Sequence, residues 1–354
     1  MQRVLAIAAS VGSDSSSGSS LGSTLDSDLD PAIDYVLVGD IGGTNARFAL
    51  ADIRTRPVLH AEKSLPTSEY ASLQHAAKSY LAQLRIKPKR AAIAVAAPVT
   101  GDAIHLTNRA WSFSQAELQA ALGLDDLNIL NDFGAVAHAV PALAQSECEF
   151  LYGPVRSLQA PVTVLGPGTG LGMAMLLQDR QQRWSVQETE GGHVSFAPLS
   201  DEEQLIVRWL NARFGRTSNE RLLCGAGLSH IDAALAGAEH PSLQAGLEML
   251  REPAQIVQRA LDGHDISARR TLARFCAVLG SVCGDAALIH GARTLMIAGG
   301  IVPRFIPFLR ASGFRERFLS KGRFAAYLEN VSIYVITHPH PGLLGAAASL
   351  QSGD

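Results

Sequence analysis

Asp132 follows Asn131 at the end of a short apolar run, Leu127-Asn-Ile-Leu130. A carboxylate in that place can accept a proton from an attacking hydroxyl. It can equally cap the helix suggested by Gly134-Ala-Val-Ala-His138, because Asp is a favoured N-cap residue. What separates the two uses is whether the chain also holds an electrophile. Gly39-Asp-Ile-Gly-Gly-Thr-Asn-Ala-Arg47 lies between two apolar runs. Its glycines Gly39, Gly42 and Gly43, with Ile41 among them, let backbone N–H groups come close to phosphate oxygens. Thr44 and Asn45 add side-chain donors. Asp40 has the wrong sign to touch phosphate and suits water on a phosphate-bridging Mg²⁺ instead. An ordinary hairpin turn has the same composition, and the stretch is neither a Walker A loop nor a dinucleotide turn.

A second stretch, Gly166-Pro-Gly168-Thr169-Gly170-Leu-Gly172, also lies between apolar runs. That many glycines cost chain entropy unless something requires them. Two phosphate-type hairpins point to one triphosphate held from two sides. Glu190-Gly-Gly-His193 sets an acceptor and a donor close together, which suits adjacent sugar hydroxyls. A surface turn is the plainer use, and a zinc site would want more ligands nearby. Glu220 can be a solvated carboxylate at a helix start, and Trp111 a core residue. His338-Pro-His340-Pro-Gly342 reads as a crossing loop between domains.

In combination these residues carry a resemblance. Asp40-Ile-Gly-Gly-Thr-Asn-Ala-Arg47, Leu130-Asn-Asp-Phe133, Gly168-Thr-Gly-Leu-Gly172, Glu190-Gly-Gly-His193 and Ile297-Ala-Gly-Gly-Ile-Val-Pro-Arg304 resemble the proteobacterial glucokinase family in order and spacing. The resemblance runs from about Tyr35 to the end of the chain. It implies an α/β, two-domain actin-like ATPase (ribonuclease H-like) fold with an interdomain cleft. It implies ATP-dependent phosphorylation of glucose to glucose 6-phosphate, with Asp132 as general base and Mg²⁺ entering with ATP. It places Asn131, Glu190, His193 and Glu220 on the sugar, with Glu220 at the anomeric end. Asn108 and Gly170 join them on the substrate side, and Thr107-Asn108-x-x-Trp111 lines the sugar cleft. It places Gly299 and Gly300 against the adenosine, and it implies a homodimer. The family usually has Pro-Gly before the Glu of the sugar loop, where this chain has Glu188-Thr189. A kinase of another hexose and a non-catalytic sugar-responsive regulator are the alternatives. ROK-type kinases, which share the fold, usually carry a Cys-rich zinc motif, and the regulators a helix-turn-helix at the N-terminus.

The elements that must position these residues can be read coarsely. Residues 35–38 and 47–51 read as strands of a hairpin, with a third strand at 58–63 and a helix over 68–84. Residues 91–97 form a continuous apolar run, as in a strand covered on both faces. Ser114-x-x-Glu117 opens a helix to Leu122, and a helix over 134–139 follows Asp132. The pattern then restarts with strands at 162–165 and 173–178, a largely helical stretch from about Glu202, and strands at 294–298 and 331–337. Strand, glycine turn and strand thus occur twice, each at the head of an α/β segment. The expected division is a disordered low-complexity tail over 1–33, a small domain of 34–141 with 338–354, and a large domain of 142–337.

Composition bounds the rest. The 354 residues are 47% hydrophobic and 18% charged, with a net charge of −3, as in a globular protein with a large core. The densest basic run, Lys87-Pro-Lys89-Arg90, reads as a solvated turn, so no nucleic-acid partner is expected. Cys148, Cys224, Cys276 and Cys283 are scattered, which fits a reducing compartment. No apolar stretch reads as long enough to span a bilayer, and the apolar run at residues 4–9 is marginal for an export signal, so no membrane partner and a cytoplasmic location are expected.

Overall fold

The computed structural model describes residues 29–106, 111–239 and 250–351. The first half opens with β1 (Val36–Ile41), β2 (Asn45–Asp52), β3 (Val58–Pro66) and α1 (Leu73–Leu81). It continues through β4 (Arg90–Val95), β5 (Ala103–His105), β6 (Ser112–Ser114), α2 (Gln115–Leu122), β7 (Asp126–Asn131) and α3 (Asp132–Ala139). A five-stranded sheet has the order β3-β2-β1-β4-β7. Its first three strands form an antiparallel meander, while β4 and β7 run parallel to β1.

The second half contributes β8 (Cys148–Tyr152), β9 (Val162–Pro167), β10 (Leu171–Gln178) and β11 (Trp184–Thr189). Helices α4 (Asp201–Phe214), α5 (Asn219–Leu222), α6 (Gly225–Glu239), α7 (Pro253–Asp262) and α8 (Ile266–His290) follow. Then come β12 (Thr294–Ile297), α9 (Ile306–Ala311), α10 (Phe314–Leu319), α11 (Ala325–Leu328), β13 (Ser332–Ile336) and α12 (Pro341–Ser349). The six-stranded sheet runs β11-β10-β9-β12-β13-β8. It repeats the plan of the first, an antiparallel meander continued by parallel strands, with β8 added antiparallel at the far edge. The internal repeat read from the two glycine turns is therefore a repeat of topology.

Each sheet is covered on both faces, which explains its unbroken apolar strands. On one face of β1 and β4 lie Leu73, Tyr80 and Leu118 from α1 and α2; on the other lie Leu343, Ala346 and Ala347 from α12. α12 also lies directly on α3. A Cβ at Gly345 would overlap the Ala135 carbonyl, so only glycine permits that approach. The second sheet shares a larger core with α4, α6, α7, α8 and α10.

Several boundaries differ from the sequence expectation. The tail was expected to reach residue 33, yet Leu29 and Ile33 pack against the first core, and the Ala32 N–H donates to Asp30 Oδ1 at 2.9 Å. The rest of that expected tail lies outside the described residues. α1 begins at Leu73 rather than 68, because Ser72 is its N-cap and accepts the His75 N–H at 3.2 Å. Residues 67–69 form a separate 3-10 turn. Strands β8 and β11 had no clear sequence signal. The expectation that no stretch could span a bilayer is corrected by α8, whose 18-residue window has a mean hydropathy of 1.6. Arg269, Arg270 and Arg274 near its start mask it, and the helix is mostly buried against α6, α7 and α10, as a core helix is.

Candidate active site

Both glycine turns and the β7–α3 junction open onto one cleft of about 340 Å³. The first turn is shorter than the sequence suggested. β1 runs through Gly39, Asp40 and Ile41, so only residues 42–44 turn. Gly42 and Gly43 line the cleft. Gly39 and Ile41 are buried in the strand, and a Cβ on Gly39 would press on Ile93 at 3.1 Å. Both pack within the sheet, and neither lines the cleft, unlike Gly42 and Gly43. Asn45 closes the turn by accepting the Gly42 N–H at 3.0 Å, and Thr44 is exposed. Thr67, buried behind the turn, donates its hydroxyl to Gly43 O and Thr44 O, each at 3.0 Å.

Asp40 accepts from Arg47 Nη1 at 3.4 Å, directly across the β1–β2 pairing. Burial raises its pKa, and Arg47 opposes that rise. The start of α12 closes over it, with Gly342 against the carboxyl group.

The second turn is wired differently. The Gly168 N–H donates to Gly170 O at 2.8 Å, and Gly168 O accepts the Gly225 N–H at 2.9 Å from the start of α6. The Leu171 N–H donates to Glu220 Oε2 at 3.0 Å. A Cβ on Gly170 would overlap that same oxygen, so a side chain there would push the Glu220 carboxylate from its present place. Gly168, Thr169, Gly170 and Gly299 line the cleft; Gly300 does not.

Three residues expected on the sugar come together. His193 Nδ1 lies 3.8 Å from Glu220 Oε1, and His193 Nε2 lies 3.9 Å from Glu190 Oε2. The backbone holds this arrangement, since Asn219 N donates to Val194 O at 3.0 Å and Phe196 N to Thr217 O at 3.1 Å. Arg216 Nη2 adds a bond to His193 O at 2.7 Å. Glu188-Thr189 does not disturb the loop. The Thr189 hydroxyl donates to Met173 O at 3.0 Å and accepts the Gly191 N–H at 3.4 Å, which ties the loop to β10.

Asp132 is the first residue of α3, and the cap is Asn131. Asn131 has extended backbone angles, and its Oδ1 accepts the N–H groups of Phe133 at 2.9 Å and Gly134 at 3.2 Å. Its Nδ2 donates to Ala97 O at 3.3 Å. The capping use considered for Asp132 thus belongs to its neighbour. Asn131 in turn has only one amide N–H left for a ligand, which narrows its expected sugar contact. Asp132 Oδ1 accepts the Phe133 N–H at 2.8 Å. Burial, with the charges of Asp40 and Glu190, lifts its pKa from the ordinary 3.8 to about 6, against the pull of the Phe133 N–H.

A family model described as Glucokinase matches residues 37–353. The glucokinase of Tolumonas auensis is 43% identical over 319 residues, covering 90% of this chain and 97% of that one. A glucokinase crystal structure from an Antarctic psychrotroph is 36% identical, with a TM-score of 0.79 over 91% of this chain and 100% of that one. A ROK family glucokinase from Streptomyces griseus, solved with glucose and AMPPNP, is 19% identical, with a TM-score of 0.62 over 90% of this chain and all of that one. The chain belongs to the glucokinase family. Its fold is the two-lobed actin-like ATPase fold that the doubled sheet plan describes.

Within this glucokinase-family cleft, the sequence motifs left out Ala96, Ala97, Pro98 and Met173. The first three follow the carboxyl end of β4, where ligands of parallel sheets sit, so Pro98 ending the run was an available signal. Asn108 lies outside the described residues. Trp111 is a core residue whose Nε1–H donates to Tyr70 O at 3.3 Å. His340 Nε2 lies 3.2 Å from Glu62 and His338 Nε2 lies 3.8 Å from Glu147, in the loop between β13 and α12. Among the described residues no cluster of three His, Cys, Asp or Glu side chains could hold a metal by itself. A wider groove of about 680 Å³, flanked by Arg56, His138 and Trp184, contains none of the expected site residues.

Proposed function

We propose that Asp132 is the general base of an ATP-dependent glucokinase and takes the proton of the glucose 6-hydroxyl as it attacks the γ-phosphorus. Membership of the family makes the chain a hexose kinase with glucose as its acceptor. The observation that carries the residue assignment is the pairing of two environments at one cleft. A carboxylate with a pKa of about 6 shares one cleft with the glycine turns and with Glu190, His193 and Glu220. Such a group is ionised at neutral pH and is still basic enough to accept a proton.

The work is positioning and charge stabilisation. Glu190, His193 and Glu220 accept from and donate to adjacent sugar hydroxyls, with Asn131 contributing its remaining N–H. Gly42, Gly43, Gly168 and Thr169 receive the phosphates, and Gly299 lies on the adenosine side. Mg²⁺ entering with ATP supplies neutralisation of phosphate charge, and Asp40 would reach it through water. Oδ1 of Asp132 is engaged by the Phe133 N–H, which leaves Oδ2 to take the proton.

We also propose that the lobes divide as 34–141 with 338–354 against 142–337, a reading supported by the seat of α12 on β1, β4 and α3. A cytoplasmic homodimer is proposed on the family resemblance. The deciding experiment is a coupled ADP assay with a hexose panel on wild type and Asp132→Ala. Loss of turnover by about 10²–10⁴-fold, with glucose binding retained by calorimetry, is expected. Near-normal turnover in the variant overturns the assignment of the base.

A further inference from the structure

The start of α3 is a capping box with a missing member. In that motif the N-cap side chain accepts the N3 N–H, while a Glu or Gln at N3 reaches back to the N-cap's own N–H. Here Asn131 performs the first half through its bond to Gly134 N. The N3 position is Gly134, which has no side chain to perform the second half. The Asn131 N–H is nevertheless satisfied. It donates at 3.0 Å to Oε1 of Glu188, a residue of β11 in the other sheet. A Cβ on Gly134 would overlap the Glu188 carboxylate, so the glycine that vacates the box also makes room for its substitute.

We propose that Glu188 is a positioning residue for Asp132, completing the α3 capping box from the opposite lobe. The inference rests on Asp132 being the base. Glu188 is two residues before Glu190, so one strand end delivers both a sugar carboxylate and the anchor of the helix that begins with Asp132. The spacing between acceptor hydroxyl and base is thereby set by one short stretch of backbone. A negative group is favourable at this point, because a helix N-terminus presents unpaired N–H groups and a partial positive charge. The role explains why Glu188-Thr189 can stand before the sugar loop. Thr189 fastens the loop to β10, while Glu188 turns away from it toward α3.

The test compares kcat and glucose KM for Glu188→Ala, Glu188→Gln and the double variant Glu188→Ala/Gly134→Glu, each with its melting temperature. Small misplacements of a reacting group cost up to about 10²-fold in rate. Glu188→Ala is expected to lower kcat at least about tenfold while glucose KM moves less than about twofold. Glu188→Gln keeps an acceptor oxygen and is expected to stay within about threefold of wild type. The double variant restores the box within α3. It is expected to recover melting temperature but not kcat, because a cap supplied in cis no longer ties the base to the sugar loop. Recovery of kcat in the double variant, or wild-type kcat in Glu188→Ala, overturns the proposal. Asp132→Ala run in parallel keeps the two readings apart. An inactive Asp132→Ala beside an unimpaired Glu188→Ala sinks only the positioning role, whereas an active Asp132→Ala sinks the base on which it rests.

Discussion

The two glycine turns occupy equivalent places in the two sheets, yet they are held in different ways. The turn after β1 is fixed from behind within its own lobe, where Thr67 takes its carbonyls. Its strand also brings a charge, since Asp40 is one of the groups that raise the pKa of Asp132. The turn after β9 brings no charge of its own and is fastened to Glu220 and to α6. On the proposed assignment, the first turn is a self-contained cradle that biases the base, and the second is a joint through which the phosphate side and the sugar side share one carboxylate.

This contrast can be broken at its strongest point by Gly170→Ala. The new methyl group displaces Glu220 Oε2 and leaves the Leu171 N–H without its acceptor. We expect kcat/KM for glucose to fall about 10- to 100-fold, an effect of misplacement read by steady-state kinetics. If ATP KM alone changes, the joint does not exist.

Asp132, the proposed base, gives the next largest effect. Its folded pKa of about 6 lies above the ordinary 3.8, so the native state binds the proton more tightly than the unfolded chain. The corresponding stability is present below about pH 4 and is lost as pH rises through about 6. Asp132→Asn is therefore expected to stabilise the protein at pH 8 by on the order of 2–3 kcal/mol, with the gain vanishing near pH 4. Thermal melts across that range check the sign. For wild type, kcat/KM should drop tenfold per pH unit below about 6 as the base is protonated.

Thr67→Val sharpens the other side of the comparison. Losing the hydroxyl that two turn carbonyls share should cost about 1–2 kcal/mol and raise ATP KM while leaving glucose KM alone. Smallest of all is Gly42→Ala, whose Cβ would meet only Asn45 O at an ordinary 3.6 Å. Stability should change by less than about 0.5 kcal/mol. A raised ATP KM at unchanged melting temperature then shows that this glycine serves ligand approach and not folding.

Much of this was legible in the sequence because chemistry there is local. The glycine turns, Asn131-Asp132 and Glu190-Gly-Gly-His193 are contiguous, and each follows or joins a strand whose apolar run is unmistakable. What escaped reading depends on partners distant in the chain. Asn and Asp are near-equal caps, so only the extended backbone at Asn131 shows which residue caps. β8 and β11 are edge strands with half-exposed, mixed burial, and their pairing with β13 and β10 supplies the definition their side chains lack. The strand position of Gly39 is not legible, because composition cannot tell a turn glycine from one that makes room for Ile93 on the next strand. Glu188 had no sequence signal for its role, since its partner is a backbone N–H in the other half of the chain.

The seat of α12 on α3 also bears on the order in which the site can form. The two glycine hairpins join neighbours in sequence and can close early. The helix that begins with Asp132 is covered by a segment from the opposite end of the described chain, and contacts so far apart in sequence are slow to form. A refolding molecule should therefore close its glycine hairpins before it seats the helix that begins with Asp132, and recovery of turnover should lag behind protection of the hairpin amides from exchange.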